Sequence, residues 1–298
     1  MLRSVGSTWA VTITQIVVVF AVTPYAIGVL GDDRYGIWLT ITSLTGYLLL
    51  VAGGLPAASV RYLSESIGGT SEESRAASVN RVVHSALYLY GVVSAACVLL
   101  GLLLYAGWVL VGREVPDASR VEAHVAFLLV VLRIAMSFVA HLPLAVLEAH
   151  DQFVRRNLVG LGSLLLQATL TFVLLWAFPS IVSLAVSVFL CIAAEIVAGV
   201  ALARRQFPAV TFGIAQRDGA LTRKLVHYSA WVLVLALGGR LAFNTDAVII
   251  STMSSYEAVA HYNVPNSLAL YFMEFLAAVA IVVMPRAARL RAGGDADG

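Results

Sequence analysis

Eight long apolar stretches dominate this chain of 298 residues, and a few ionisable residues lie inside them. An α-helix of about 20 apolar residues is long enough to span a lipid bilayer. Within lipid, backbone groups must be paired inside each spanning segment, so these stretches are expected to form helices. We therefore predict an all-α, polytopic integral membrane protein. The eight predicted spans are Trp9–Leu30, Tyr35–Leu55, Val82–Val111, Ala123–Leu147, Leu158–Phe178, Ile181–Ala203, Val226–Met253 and Ala258–Met284.

The composition agrees with lipid as the main solvent. Hydrophobic residues make up 60% of the chain and charged residues only 12%, whereas soluble globular domains carry roughly 25% charged residues. The net charge of +2 gives no reason to expect nucleic acid as a partner. Cys97 and Cys191 lie within predicted spans, so we interpret them as small apolar side chains and not as a disulfide or a metal site. The first apolar stretch is too long for a signal peptide, and we expect no removable leader.

Basic residues are distributed unequally between the two sets of connections. Of the 19 Lys and Arg residues, 14 lie in one alternating set and only Arg34, Arg113 and Arg120 lie in the other. The remaining two are inside spans. Because basic connections stay on the cytoplasmic side, both termini are predicted to be cytoplasmic.

The connections between spans are too short to form a separate catalytic domain. The longest of them, Arg61–Arg81 and Arg204–Lys224, have about 20 residues each. The chain contains no Walker A, HExxH, GxSxG or dinucleotide-binding sequence. We therefore expect a transporter and not an enzyme, with no cofactor and no metal site.

The first and last helical hairpins can be aligned with each other. Thr23–Leu44 and Ala247–Leu268 match at an offset of 224 residues, which places Asp33 opposite Glu257. Each hairpin has an apolar span, a short turn with an acid and a second span that starts near an aromatic residue. Since transporters often contain internal repeats, we predict that the last hairpin begins a second copy of the first unit.

Three segments carry a resemblance to a known family. Leu30–Glu65 contains the turn LGDDRYGIW, a GGL near the end of the second span and the sequence RYLSE that follows it. Leu147–Val159 reads LEAHDQFVRRNLV, and Thr245–Leu268 reads TDAVIISTMSSYEAVAHYNVPNSL. These pieces resemble the polysaccharide-export flippases of the multidrug/oligosaccharidyl-lipid/polysaccharide exporter superfamily, and the resemblance extends over essentially the whole chain.

The resemblance implies two six-helix lobes that face each other across a cavity. We accordingly assign residues 1–215 to a first six-helix lobe, residues 216–285 to the first two helices of a second lobe, and residues 286–298 to a polar cytoplasmic tail. The family implies two complete lobes, whereas this chain has helices for one full lobe and only two helices of the second. We therefore interpret the chain as a C-terminally truncated member.

The resemblance also implies a function. The protein is expected to flip an oligosaccharide linked to polyprenyl pyrophosphate across the plasma (inner) membrane for cell-surface polysaccharide biosynthesis, by alternating access. Its expected partners are that lipid-linked oligosaccharide, the bilayer and polysaccharide synthesis enzymes. One alternative is a cation-coupled multidrug exporter of the same superfamily, against which the lack of an acid in the first span counts. Another is a non-transporting membrane scaffold, if the truncation is real.

Five side chains are candidates for substrate binding, because polar and charged groups within lipid are costly and usually functional. Arg133 and His141 lie two turns apart on one face of the fourth span. Arg240 and Asn244 lie one turn apart in the seventh span, and Arg61 ends the second. Cations in such positions suit a pyrophosphate or an acidic sugar. The alternatives are a structural ion pair for Arg133 and a membrane-surface anchor for Arg61.

Three acids within the spans are candidates for coupling to a proton or a sodium ion. They are Glu195 in the sixth span, Asp246 in the seventh and Glu274 in the eighth. Asp246 either pairs with Arg133 or contacts water at the end of its helix. The other two acids are alternatively neutral and packed within the protein.

Two further patterns concern the shape of the spans. A polar face formed by Ser163, Gln167 and Thr171 in the fifth span either lines a sugar path or makes interhelical hydrogen bonds. Bends or weak points in or next to the first two spans are predicted at Pro24, Gly53, Gly54 and Pro56.

Overall fold

The computed structural model describes residues 2–67, 72–111, 115–270 and 272–273, and every regular element in this part of the chain is helical. Six of its helical segments are long and apolar enough to cross a bilayer. The helices are α1 (Leu2–Leu30), α2 (Asp32–Gly46), α3 (Leu55–Ile67), α4 (Glu72–Val111), α5 (Asp117–Ala149), α6 (Phe153–Ala177), α7 (Ile181–Gln206), α8 (Gly219–Met253) and α9 (256–270). Within α8, the side chains of residues 231–232 and 234–244 lie outside this description.

The first seven predicted spans are confirmed as mainly helical, and the start of the eighth is helical as far as residue 270, whereas its residues 271 and 274–284 lie outside the described residues. Most of the helices extend beyond the predicted spans at polar ends. The longest, α4, has 40 residues, which corresponds to about 60 Å of helix. The hydrocarbon core of a bilayer is only about 30 Å thick. The predicted span Val82–Val111 is therefore the apolar part of α4, and the polar residues before it continue the helix past the membrane.

The second predicted span is interrupted, and the neighbouring helix compensates for the interruption. A 3₁₀ segment, Tyr47–Ala52, follows α2, and Gly53 then adopts φ 51° and ψ −128°, a conformation that side chains with a Cβ rarely adopt. The interruption frees the N–H of Gly54, which donates to the carbonyl of Ser229 in α8 at 3.1 Å. The predicted bend is confirmed, and α8 supplies the acceptor that lipid lacks.

The helices are arranged around α5. It packs against α7 on one side and against α2, α3 and α4 on the other, while α1 and α6 pair beside α7. Helix α8 runs along α2, the 3₁₀ segment, α3 and α4. Tyr90, Phe127 and Phe138 are among the largest fully buried side chains. Large apolar side chains such as Trp176 and Leu110, each 82% exposed, point outward as a lipid-facing surface requires.

The connection between α7 and α8 is fixed to α4 by hydrogen bonds. Asn80 donates from Nδ2 to the carbonyl of Ala209 and accepts from the N–H of Thr211, both at 2.9 Å. His84 accepts at Nδ1 from the N–H of Gln216 at 2.9 Å. This end of the bundle, which also holds the α5–α6 turn, is called the α5–α6 end below.

At the opposite end, called the α1–α2 end, the two hairpins aligned by the repeat contact each other. Gly36 in α2 lies so close to the backbone carbonyl of Tyr256 in α9 that a Cβ at Gly36 would collide with it. Val259 and Ala260 are almost fully buried in the same contact. The start of α9 is therefore packed directly against the start of α2.

Replacing Gly53 with alanine is expected to destabilise the protein by about 2 kcal/mol, because the left-handed backbone is strained for alanine. The added Cβ would also lie 3.1 Å from the carbonyl oxygen of Ser229. The thermal unfolding midpoint of the purified protein in detergent measures the effect. Gly28→Ala is the control, since no atom lies within 4 Å of the Cβ it would add. Equal midpoints for the two variants would contradict the expected strain.

Candidate functional site

The polar face of α6 is paired with a polar face of α7. Ser163 Oγ donates to Glu195 Oε2 at 2.9 Å and contacts Cys191 Sγ at 2.9 Å. Two turns along, Thr171 Oγ1 donates to Ser187 Oγ at 3.0 Å. Of the two interpretations of the α6 pattern, the structure supports interhelical hydrogen bonding at Ser163 and Thr171.

Arg133 lies next to this polar stripe, in the middle of α5. Its side chain is half-buried, and its Nε is buried without a hydrogen-bond partner. The negative charge of Glu195 is near enough to attract the Arg133 guanidinium. Among the described residues, however, Arg133 and Glu195 do not form an ion pair with nitrogen and oxygen within 4.0 Å of each other. Arg133 therefore has an acid nearby and keeps at least one donor free for another acceptor.

Basic side chains continue from Arg133 toward the α5–α6 end. His141 lies eight residues further along α5, about 12 Å away along the helix axis. Its side chain is exposed, and the charges of both Arg133 and Arg156 act on it. Arg156 itself lies near Glu148, with 3.6 Å between Nε and Oε2. Arg133, His141 and Arg156 thus form a path of cationic or titratable groups, called the basic path below.

A groove of about 400 Å³ runs between α6 and α7 beside this path. Ser163 and Glu195 form its polar wall, and Arg155 lies at its α5–α6 end. The Arg155 guanidinium donates to Gln152 and Gln206, so the structure holds it in place there. The rest of the lining is small or apolar and consists of Leu158, Val159, Gly162, Leu166, Ala194, Ala198 and Leu202. The groove can therefore receive an apolar chain along its walls and a polar group at Ser163 and Glu195.

Arg61 lies apart from the basic path, where α3 faces α8. It forms an exposed ion pair with Glu65, with Nε and Oε1 2.9 Å apart. Its guanidinium carbon also lies 5.1 Å from the centre of the Tyr228 ring in α8. These contacts are those of a side chain that links α3 to α8. They do not test the role in substrate binding predicted for Arg61, which stays a prediction.

The predicted acids are not gathered at one place. Asp246, near the end of α8, accepts a hydrogen bond from the Tyr262 hydroxyl of α9. Its partner is thus Tyr262 and not Arg133, because α8 packs on α2, α3 and α4, whereas Arg133 faces α7. The side chains of Arg240 and Asn244 and the whole of Glu274 lie outside the described residues, so their roles stay predictions.

Sequence reasoning did not assign Arg155 and Arg156 to a site. Both were counted only as basic residues of a connection, although they stand in the segment LEAHDQFVRRNLV that carried part of the resemblance. The partnership of Asp246 and Tyr262 was also missed. This hydrogen bond arises where α8 packs on α9. No pattern of residues within either helix indicates that packing.

Comparisons with known proteins place this geometry in context. The family described as polysaccharide biosynthesis protein matches residues 1–291. Among curated proteins, none is similar enough in sequence to count as a relative. The chain is similar to an inward-facing multidrug resistance transporter of the MATE family and MOP superfamily, with a TM-score of 0.60, 12% identity, and 84% of this chain and 59% of that one covered. It is also similar to the MATE multidrug transporter DinF-BH, with a TM-score of 0.54, 16% identity, and 91% and 60% covered.

At these identities the likeness establishes the fold alone. It shows that the helices are arranged as they are in these two structures. The chain spans about three fifths of the length of each of these two structures.

Replacing Ser163 with alanine is expected to destabilise the protein by about 1–2 kcal/mol, because Glu195 and Cys191 would lose their shared partner within the bundle. Ser137→Ala is the matched control, since Ser137 is also buried but bonds only to the carbonyl of Ile134 in its own helix. Thermal unfolding in detergent compares the two variants. A loss for Ser163→Ala no larger than that for Ser137→Ala would show that the stripe does not hold α6 to α7.

Proposed function

Because the chain belongs to the polysaccharide biosynthesis protein family, we propose that it forms part of a flippase for lipid-linked oligosaccharides. The substrate class is an oligosaccharide joined to a polyprenyl carrier through pyrophosphate. The observation that carries the proposal is the basic path beside the apolar groove of α6 and α7. Together they offer cations for the pyrophosphate and an apolar surface for the carrier.

The chemistry of the basic path suits a phosphate group. Arginine donates several hydrogen bonds in a planar arrangement that matches phosphate oxygens. Leaving a buried donor unpaired costs about 1–3 kcal/mol, and the Arg133 Nε is such a donor. An oxygen of a bound pyrophosphate would accept from it and remove that penalty. Arg155 and Arg156, at the α5–α6 end, are placed to attract the anion first.

Glu195 gives the site a means of releasing its ligand. It lies near Arg133 and competes with an anionic substrate for the arginine charge. When the substrate leaves, Glu195 compensates the positive charge, so Arg133 is not left alone in a medium of low dielectric constant. Glu195 therefore fits an exchange of partners at Arg133 as well as the ion coupling predicted for it.

The proposed transport mechanism is alternating access between two lobes, residues 1–215 and a second lobe that begins at residues 216–285. In this proposal both termini are cytoplasmic, residues 286–298 form a cytoplasmic tail, and the α5–α6 end faces the cytoplasm of a plasma (inner) membrane. The hydrogen bond of Gly54 with Ser229 and the hydrogen bond from the N–H of Gln216 to His84 Nδ1 join the lobes. Movement of α8 relative to α2 and α3 would pivot at these two places.

A multidrug exporter is the second candidate, since two solved structures to which this chain is similar are described as multidrug transporters. The half-buried Asp246, hydrogen-bonded to Tyr262, is an acid that such a protein could couple to a cation. Expression in a dye-sensitive host separates the two functions. Protection from several unrelated cationic dyes, lost in Asp246→Asn, would favour the exporter, whereas unchanged dye sensitivity would favour the flippase.

Replacing Arg133 with alanine is expected to weaken binding of polyprenyl pyrophosphate by about 10- to 100-fold, which corresponds to the loss of one charge-assisted interaction. Binding to the purified protein in detergent is measured by native mass spectrometry or by competition with a labelled polyprenyl pyrophosphate. Arg133→Lys should restore only part of the affinity, because lysine keeps the charge without the planar donors.

Arg120→Ala is the matched control for this experiment. Arg120 lies on the same helix, but it is exposed and pairs with Asp117 at 2.7 Å near the start of α5. Its removal should leave binding unchanged. Equal affinities for Arg133→Ala, Arg120→Ala and the unmodified protein would overturn the assignment of Arg133 to the substrate.

A further inference from the structure

Three side chains that ligate metals meet at the α1–α2 end, far from the basic path. They are Asp32 in the first turn of α2, and Glu257 and His261 in α9. One ligand atom from each lies within 4.8 Å of the other two. His261 Nε2 and Glu257 Oε1 are 3.6 Å apart. These atoms are close enough for a small shift of side chains to bring all three onto one ion.

The origin of the three ligands distinguishes this cluster from an ordinary acidic surface. Glu257 and His261 are four residues apart, so they project from one face of α9. Asp32 belongs to another helix that is more than 200 residues away in the chain. The close contact of Gly36 with the carbonyl of Tyr256 fixes the two backbones at this point. The ligands therefore converge from two anchored helices, and an ion between them would join those helices.

The charges at this contact call for a cation. Asp32 and Glu257 place two carboxylates near each other, and like charges repel across the junction. The basic side chain nearest in sequence to Asp32, Arg34, is directed elsewhere, since it donates to the carbonyl of Pro179 at 3.2 Å and lies 3.9 Å from Glu122. Among the described residues of the cluster, His261 is the one group able to carry a positive charge. A divalent cation would neutralise both carboxylates at once.

We propose that Asp32, Glu257 and His261 form a binding site for a divalent transition-metal ion, with zinc as the best fit, that ties α2 to α9. An imidazole with two carboxylates is a ligand set that zinc accepts, and three protein ligands leave a position for water. Calcium and magnesium prefer oxygen ligands alone, so the imidazole selects against them. The bound ion holds the α1–α2 end of the two hairpins together. This site was not expected from the sequence, which predicted no metal, and it does not depend on the proposed substrate.

Zinc binding to the purified 298-residue chain, with its affinity tag removed, tests the proposal. Competition with a zinc-sensitive fluorescent chelator gives the affinity and stoichiometry, and absorption in the visible range after cobalt substitution reports the ligands. We expect one ion per chain. Asp32→Asn, Glu257→Gln and His261→Ala should each weaken zinc binding at least about tenfold, since even residues behind metal ligands contribute that much. Zinc should also raise the unfolding temperature of the unmodified protein.

The chain offers close controls for two of these variants. Asp33→Asn makes the same change one residue away from Asp32, at an exposed acid outside the cluster. His227→Ala removes an exposed histidine elsewhere. Both should bind zinc and gain thermal stability as the unmodified protein does. The proposal is overturned if these controls weaken zinc binding as much as the cluster variants, if no variant changes it, or if the unmodified chain does not bind zinc at micromolar concentrations. It is also overturned if magnesium or calcium binds as tightly as zinc.

Discussion

The absence of water in the bilayer core is the constraint on which the rest of this structure depends. Every backbone or side-chain group that a helix leaves unpaired must find a partner inside the protein. The interruption at Gly53 and Gly54 shows the consequence, because the freed N–H of Gly54 is satisfied by Ser229 of α8. The same contact that completes the backbone of one span also positions α8.

The same constraint organises the polar side chains. Ser163 and Thr171 are satisfied by partners on α7. Arg133 departs from this pattern, since its Nε is buried without a partner. The polar side chains around Arg133 have partners within the protein, whereas the Arg133 Nε does not. This donor is therefore available to an acceptor on a bound ligand. That contrast separates the proposed substrate contact from the structural hydrogen bonds around it.

Much of the fold could be predicted because its signals are local. Length and apolar composition located the spans, and the two adjacent glycines located the bend in the second one. The extents of the helices could not be predicted as well, since α4 continues through a polar segment that carries no apolar signal. In the candidate site, Arg133 and Glu195 stood out as charges inside spans, whereas Arg155 and Arg156 looked like ordinary connection residues. The groove beside Arg155 lies between α6 and α7, where the small residues Gly162, Ala194 and Ala198 form part of its wall.

The sequence by itself determined that this chain is a polytopic helical membrane protein, because the number and length of apolar stretches leave no other way to satisfy the backbone in lipid. It also singled out the charges whose burial is costly. Only the tertiary structure decided which polar and charged groups meet. Arg133 lies near Glu195, Asp246 bonds to Tyr262, and Asp32 lies beside Glu257 and His261. The reason is physical: helix periodicity fixes which residues share a face of one helix, but the pairing of faces between distant helices depends on how the whole bundle packs.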